Sequence, residues 1–166
     1  MTNRRKLLTG AAAIAVLGGA SLFGRRESMA ANGEFEISLS EAEWRERLTE
    51  DEYAVLREEA TERAFTSDLL AEKRKGTYTC AGCDLPLFSS ETKYDSRTGW
   101  PSFWEPLENA IGTKTDYKLF LPRTEVHCRR CGGHQGHVFD DGPQPTGLRY
   151  CINGIALDFV PDDKAA

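Results

Sequence analysis

Two Cys-x-x-Cys pairs, Cys80-Ala81-Gly82-Cys83 and Cys128-Arg129-Arg130-Cys131, lie 44 residues apart in a chain of 166. Each pair sets two thiols on one side of a tight turn, and two such turns together offer the all-sulfur tetrahedral shell that suits zinc. Gly82 and the Gly132-Gly133 step supply the backbone freedom these turns need. The spacer is longer than in a simple zinc ribbon, so an ion here ties together distant parts of one fold. Four cysteines close the shell and leave no open position, which makes the role of such an ion structural. An iron centre of rubredoxin type uses the same four ligands. Disulfides in an oxidising compartment, or a redox-active Cys-x-x-Cys, are the other uses of this pattern. A single redox pair does not account for its duplicate, and two matched pairs favour metal.

The chain has five cysteines, so Cys151 stands alone. It lies in Gly147-Leu148-Arg149-Tyr150-Cys151-Ile152-Asn153-Gly154, a β-prone run bracketed by glycines. Alternation along a strand places Arg149, Cys151 and Asn153 on one face, and Tyr150 and Ile152 on the other. A thiol flanked by a cation and an amide is arranged for chemistry, although free cysteine is also among the most buried residue types. At the ordinary thiol pKa of ~8.5 only a few per cent is thiolate at neutral pH, and a nearby cation raises that fraction. Arg149 and the histidines are the candidates. All three histidines, His127, His134 and His137, fall within eleven residues. His134 and His137 suit acid–base work beside a thiol, whereas His127 adjoins the second cysteine pair and reads as structural. In Thr98-Gly99-Trp100-Pro101-Ser102-Phe103-Trp104, Gly99 and Pro101 hold Trp100 in a turn, as a pocket wall requires.

The chain opens Thr2-Asn3-Arg4-Arg5-Lys6-Leu7-Leu8, followed by an apolar run to Phe23 that is broken by glycines. A basic start joined to a modest apolar stretch has the form of an export signal, and the paired arginines that of the twin-arginine class. The run is shorter than the roughly 20 apolar residues of a membrane span. Residues 1–30 are therefore expected to be a cleaved signal, with Ser28-Met29-Ala30 as the cleavage candidate and an uncleaved anchor as the alternative. Residues 31–166 keep 16 of the 21 basic and 25 of the 26 acidic residues, a net charge of −9. Such a balance disfavours non-specific binding to nucleic acid or anionic lipid.

After an extended arm at 32–38, Ser40-x-x-Glu43 and Thr49-x-x-Glu52 read as capping boxes opening two short helices. Trp44 and Leu48 share one face, Tyr53 and Leu56 another, while Arg57, Glu58 and Glu59 are left to solvent. From Gly76 onward turn residues recur, and between them β-prone runs are expected at 77–80, 117–121, 125–128, 137–139, 148–153 and 155–160. Short strands punctuated by turns indicate an antiparallel, mainly β fold behind two small helices.

Five stretches carry a resemblance to a known family. Cys80-Ala-Gly-Cys83, Gly99-Trp-Pro-Ser-Phe103, Arg123-Thr-Glu-Val126, His134-Gln-Gly-His-Val-Phe139 and Gly147-Leu-Arg-Tyr-Cys-Ile-Asn153 resemble the methionine-R-sulfoxide reductases of the B type, in order, over residues 38–160. The resemblance implies an α+β, mainly β fold of two antiparallel sheets with short N-terminal helices and a structural zinc on Cys80, Cys83, Cys128 and Cys131. It implies reduction of the R epimer of methionine sulfoxide, mainly in proteins; the chain is expected to act as a monomer. Cys151 would be the nucleophile, His134, His137 and Asn153 would surround the sulfoxide oxygen, and Trp100 would hold the substrate methyl, with Arg149 beside it. The chain departs from many members at Thr98, where they carry a resolving cysteine. The sulfenic acid left on Cys151 is then expected to be reset by an external reductant, a thioredoxin-like protein or a small thiol. A zinc-stabilised binding module, a zinc-ribbon nucleic-acid binder and a thiol–disulfide oxidoreductase are the competing classes. The charge and the leader count against the second.

Overall fold

The computed structural model describes residues 35–118 and 121–164. The expected leader lies outside the described residues. Helix α1 (Glu41–Arg47) and helix α2 (Glu50–Glu58) start as the capping boxes require. The Ser40 and Thr49 side chains accept from the Glu43 and Glu52 N–H groups, and those glutamates accept from the cap N–H groups in return. Such a cap is worth about 1 kcal/mol. Trp44, Leu48, Tyr53, Val55 and Leu56 are buried beneath the two helices. Arg57, expected in solvent, instead lies over the Trp44 ring, 4.6 Å from its centroid, and donates to the Cys131 carbonyl at 3.0 Å. A long apolar stem with a planar charged head does both at once. Arg57 thereby tethers α2 to the second cysteine pair.

Nine strands follow: β1 (Gly76–Cys80), β2 (Pro86–Ser89), β3 (Lys93–Tyr94), β4 (Ser102–Phe103), β5 (Ile111–Asp116), β6 (Arg123–Cys128), β7 (His134–Phe139), β8 (Arg149–Ile152) and β9 (Leu157–Pro161). They form a three-stranded sheet, β2-β1-β9, and a six-stranded sheet, β3-β4-β8-β7-β6-β5. Every pairing is antiparallel.

Residues 117, 118 and 121, expected within a strand, are in none. The strand is Ile111–Asp116, while Tyr117 and Leu121 are 77% and 76% exposed. Their side chains favour strands but find no face to bury, whereas the polar run before them pairs residue for residue with β6. Strand propensity is mostly a measure of packing, so the available neighbour decides. Pro86 begins β2 rather than marking a turn, as the first residue of an edge strand permits. The run expected at 155–160 opens as a 3-10 turn, Gly154–Ala156, before β9.

Aromatic rings fill the space between the sheets. Phe88 of β2 stacks on Phe103 of β4 with centroids 4.3 Å apart, and Tyr78 of β1 meets Phe103 edge-on at 5.0 Å. Tyr78, Leu87, Phe88, Phe103, Val126 and Ile152 are completely buried. The register of the larger sheet keeps its two faces distinct. Phe103, Tyr150 and Val138 stand opposite one another in successive strands and point together to one side. The neighbouring row is polar: Tyr94, Ser102, Cys151, His137, Glu125 and Lys114 are direct cross-strand partners across all six strands. Residues opposite each other share a face. The fold therefore lines up a thiol, an imidazole and a carboxylate that lie far apart in sequence.

Gly136 pins this register. A Cβ on it would overlap the carbonyl oxygen of Cys151 on the neighbouring strand. Replacing Gly136 by alanine is expected to lower the unfolding free energy by about 2–3 kcal/mol through forced displacement of β7 from β8. A urea titration measures this, and an unchanged midpoint would refute the close approach.

Candidate active site and metal centre

The four paired cysteines converge. Their Sγ atoms all lie within 4.8 Å of one another, with Cys80–Cys131 at 3.7 Å and Cys83–Cys128 at 3.5 Å, and all four residues are buried. None is joined in a disulfide. A tetrahedron of metal–sulfur bonds about 2.3 Å long has edges of about 3.8 Å, so this arrangement fits one ion held by sulfur alone. Cys80 ends β1 and Cys128 ends β6, so the cluster joins the two sheets. Gln135 donates its side-chain N–H to Cys80 Sγ at 3.4 Å, and its main-chain carbonyl accepts from both the N–H and the side-chain amide of Asn153.

Cys151 is half-buried and sits opposite His137 on β7 and Ser102 on β4. Thr98 Oγ1 lies 3.8 Å from Cys151 Sγ and is linked to Ser96 Oγ at 2.9 Å, which in turn meets Ser102 Oγ at 2.7 Å. Arg149 pulls on the thiol as expected, but its guanidinium is held by a bidentate pair with Asp141 at 2.8 Å and lies over the Phe139 ring. Burial pushes the Cys151 thiol up, and the hydrogen bond from Thr98 and the charge of Arg149 only partly offset it. The free site thus holds a thiol at neutral pH, where the sequence pointed to an increased thiolate fraction.

Each histidine is oriented by a carboxylate that sequence reading had not singled out. His134 Nδ1 meets Glu125 Oε1 at 2.8 Å, and His127 Nδ1 meets the other oxygen of Glu125 at 2.9 Å. His137 Nε2 meets Asp116 Oδ2 at 2.8 Å, which Arg123 also binds at 2.6 Å. Burial pushes the Glu125 carboxyl up, yet its two histidine partners outweigh that and hold it at about 2. The Lys118 N–H, then His137 and Arg123, hold Asp116 well below the usual carboxylate range. With both carboxylates ionised, each ring proton belongs on the nitrogen facing its carboxylate. His134 Nε2 and His137 Nδ1 are then left to exchange protons. Burial lowers the His137 pKa despite Asp116, so this imidazole is neutral at pH 7. His127, the residue read as structural, braces Glu125.

Glu62 is a third residue that sequence reading missed. Its N–H donates to Asn153 Oδ1 at 3.1 Å, and its carbonyl accepts from the Trp100 indole N–H at 3.1 Å. Its carboxylate caps the 3-10 turn after β8 through the N–H groups of Gly154 and Ile155. One buried glutamate thus fixes Trp100, Asn153 and the end of the cysteine strand. Asn153 lies one residue beyond the strand on which alternation placed it. Strand β8 ends at Ile152, and the Asn153 amide is turned between Glu62 and Gln135. Its sequence signals were its spacing from Cys151 and its place in the resembling motif, and Glu62 had none.

A family profile described as the SelR domain matches residues 48–161. The chain belongs to the SelR family. It is 55% identical to the peptide methionine sulfoxide reductase MsrB of Pseudomonas putida over 124 residues, covering 74% of this chain and 93% of that protein. The MsrB of Leptospira interrogans is 50% identical over 126 residues, 75% of this chain and 96% of that protein. A chloroplastic peptide methionine sulfoxide reductase B1 of Arabidopsis thaliana is 54% identical over 121 residues, 72% of this chain, and the match spans 60% of the plant protein's length.

Four outcomes are expected of this SelR-family chain. Elemental analysis should find about one metal ion per chain, and its removal by a chelator should cost several kcal/mol of stability, since ligand-site binding energy is folding energy. Alkylation of Cys151, followed by peptide mapping against pH, should have its midpoint above the ordinary ~8.5 of a free thiol. Arg149→Met should move that midpoint further up, because it removes a charge that favours the thiolate. A midpoint near neutrality would contradict the neutral thiol.

Proposed function

We propose that the protein reduces the R epimer of methionine sulfoxide, mainly in oxidised proteins, to methionine. The observation that carries this reading is the direct pairing of Cys151 with a carboxylate-oriented His137, next to Trp100 held fast by Glu62. The names of the relatives support it. Cys151 is the nucleophile and attacks the sulfoxide sulfur. The thiol proton passes, by way of His134 or His137, to the sulfoxide oxygen, which leaves poorly unless protonated. The attack forms a bond between the Cys151 and substrate sulfurs, and the protonated oxygen then passes to the Cys151 sulfur as its bond to the substrate sulfur and the sulfur–sulfur bond both break. Two electrons move from the cysteine to the substrate, giving methionine and a sulfenic acid on Cys151. A neutral thiol beside a neutral imidazole carries the one proton this step moves, so no net uptake from solvent is needed. Trp100 walls the substrate methyl. Asn153 has a second amide hydrogen beyond the one Gln135 takes, and it donates to the sulfoxide oxygen. Arg149 tunes the thiol.

Thr98 offers the sulfenic acid a hydroxyl and no second thiol. Two equivalents of an external thiol, from a thioredoxin-like protein or a small molecule, reset it. They leave as a disulfide with one water, and Cys151 returns to the thiol. The ion in the four-cysteine site is zinc with a structural role. Residues 1–30 are an export signal of twin-arginine type, and residues 31–166 the catalytic domain, which acts outside the cytoplasm. Among the described residues no helix is long and apolar enough to cross a membrane.

Turnover of the separated R and S epimers with dithiothreitol tests the activity. The R epimer should be consumed, Cys151→Ser should lose turnover to background, and consumption of the S epimer alone would overturn the reading. Mass spectrometry after one turnover without reductant should find sulfenic acid on Cys151 and no internal disulfide.

A further inference from the structure

The run from Thr98 to Ser102 serves two places at once. Thr98 and Ser102 touch or face the thiol, whereas Gly99, Trp100 and Pro101 line a second cleft of about 400 Å³. Phe65, Leu70 and Tyr94 complete the apolar part of that cleft, and Lys73, Lys93, Arg97 and Asp95 its charged part. Phe65 is 71% exposed although large and apolar. Its backbone has φ 66°, a left-handed conformation that is a genuine outlier for a bulky side chain. The strain is held by a 2.8 Å hydrogen bond from the Phe65 N–H to the Gly99 carbonyl, and by Gly99 itself, where a Cβ would press on Ala64 and Phe65. A strained residue that keeps an apolar ring in solvent beside a proposed substrate wall is a reason to look for a ligand.

The charge of the cleft tells which ligand. Three cations face one acid there, in a chain whose residues 31–166 carry a net charge of −9. Lys93 is partly inside, donating to the Leu70 and Glu72 carbonyls at 3.3 and 3.1 Å, and so it stiffens the floor. The Glu72 carboxylate is taken up by Arg74 at 2.6 Å. Lys73 and Arg97 are exposed, and neither is in an ion pair among the described residues.

We propose that this cleft is a subsite for the polypeptide flanking the oxidised methionine, with Phe65 packing on that backbone and Lys73 and Arg97 selecting acidic side chains next to the reacting residue. The inference rests on the reductase reading of the Cys151 site and adds sequence preference to it. Trp100, the proposed wall for the substrate methyl, also lines this cleft, so the two places share one side chain.

Two methionine sulfoxide peptides of equal length test it, one with glutamates and one with lysines around the oxidised residue, with N-acetyl methionine sulfoxide as a third substrate. The glutamate peptide should have the higher kcat/KM by about threefold to tenfold at low salt, a preference that fades as ionic strength rises. Lys73→Glu with Arg97→Glu, both at exposed positions, should invert the ratio of the two peptides. Equal kcat/KM values, or a preference that survives the double charge reversal, would overturn the subsite while N-acetyl methionine sulfoxide is still reduced by the unaltered protein. Failure to reduce any of the three would overturn the reductase reading, and the subsite with it.

Discussion

The four-sulfur cluster is the constraint on which the rest of the structure depends. It fastens the end of β1, in the smaller sheet, to the end of β6, in the larger one. From it a continuous set of hydrogen bonds runs to groups of the proposed active site. Gln135 reaches Cys80 with its side chain and Asn153 with its carbonyl, Asn153 reaches Glu62, and Glu62 holds Trp100. Arg57 adds α2 to the same assembly through the Cys131 carbonyl. A shell with no open position offers a substrate no place to bind, yet it sets where the proposed participants stand.

The electrostatics are arranged in two layers. Asp116 and Glu125 stay ionised because hydrogen bonds and cations overcome their burial, and they fix which nitrogen of His137 and His134 faces outward. Cys151 and His137 behave in the opposite way: burial outweighs their partners, and each is pushed toward its neutral form. Charge is thus confined to the groups that orient, and the two groups proposed to exchange a proton are pushed toward their neutral forms. Arg149 illustrates the balance, since Asp141 takes up much of a cation that would otherwise draw the thiol toward ionisation.

Much of this was readable in the residues. Ser40-x-x-Glu43 and Thr49-x-x-Glu52 specify their helices locally, and the two cysteine pairs specify a cluster by residue type and spacing. What failed to read out depends on contacts between distant segments. Tyr117 and Leu121 have strand-forming side chains but no surface to cover, and Gly112-Thr113-Lys114-Thr115 becomes a strand only because β6 lies alongside it. Arg57 looked like one more solvated charge until Trp44 and Cys131 were placed beneath it. Glu62 sits among ordinary polar residues, and nothing local distinguishes it from Glu58 or Glu59. Glu125 and Asp116 matter for where their strands put them, a fact of register rather than of composition.

The contact between Gly136 and the Cys151 carbonyl also bears on how such a protein can change over time. Side chains alternate along β7 and β8, so one residue inserted or deleted within either strand turns the thiol or its histidine toward the aromatic layer. The glycine closes the remaining escape, a compensating slide of one strand along the other. Length variation should therefore collect in the connections, such as residues 140–148 between β7 and β8, while these two strands keep their residue count unchanged.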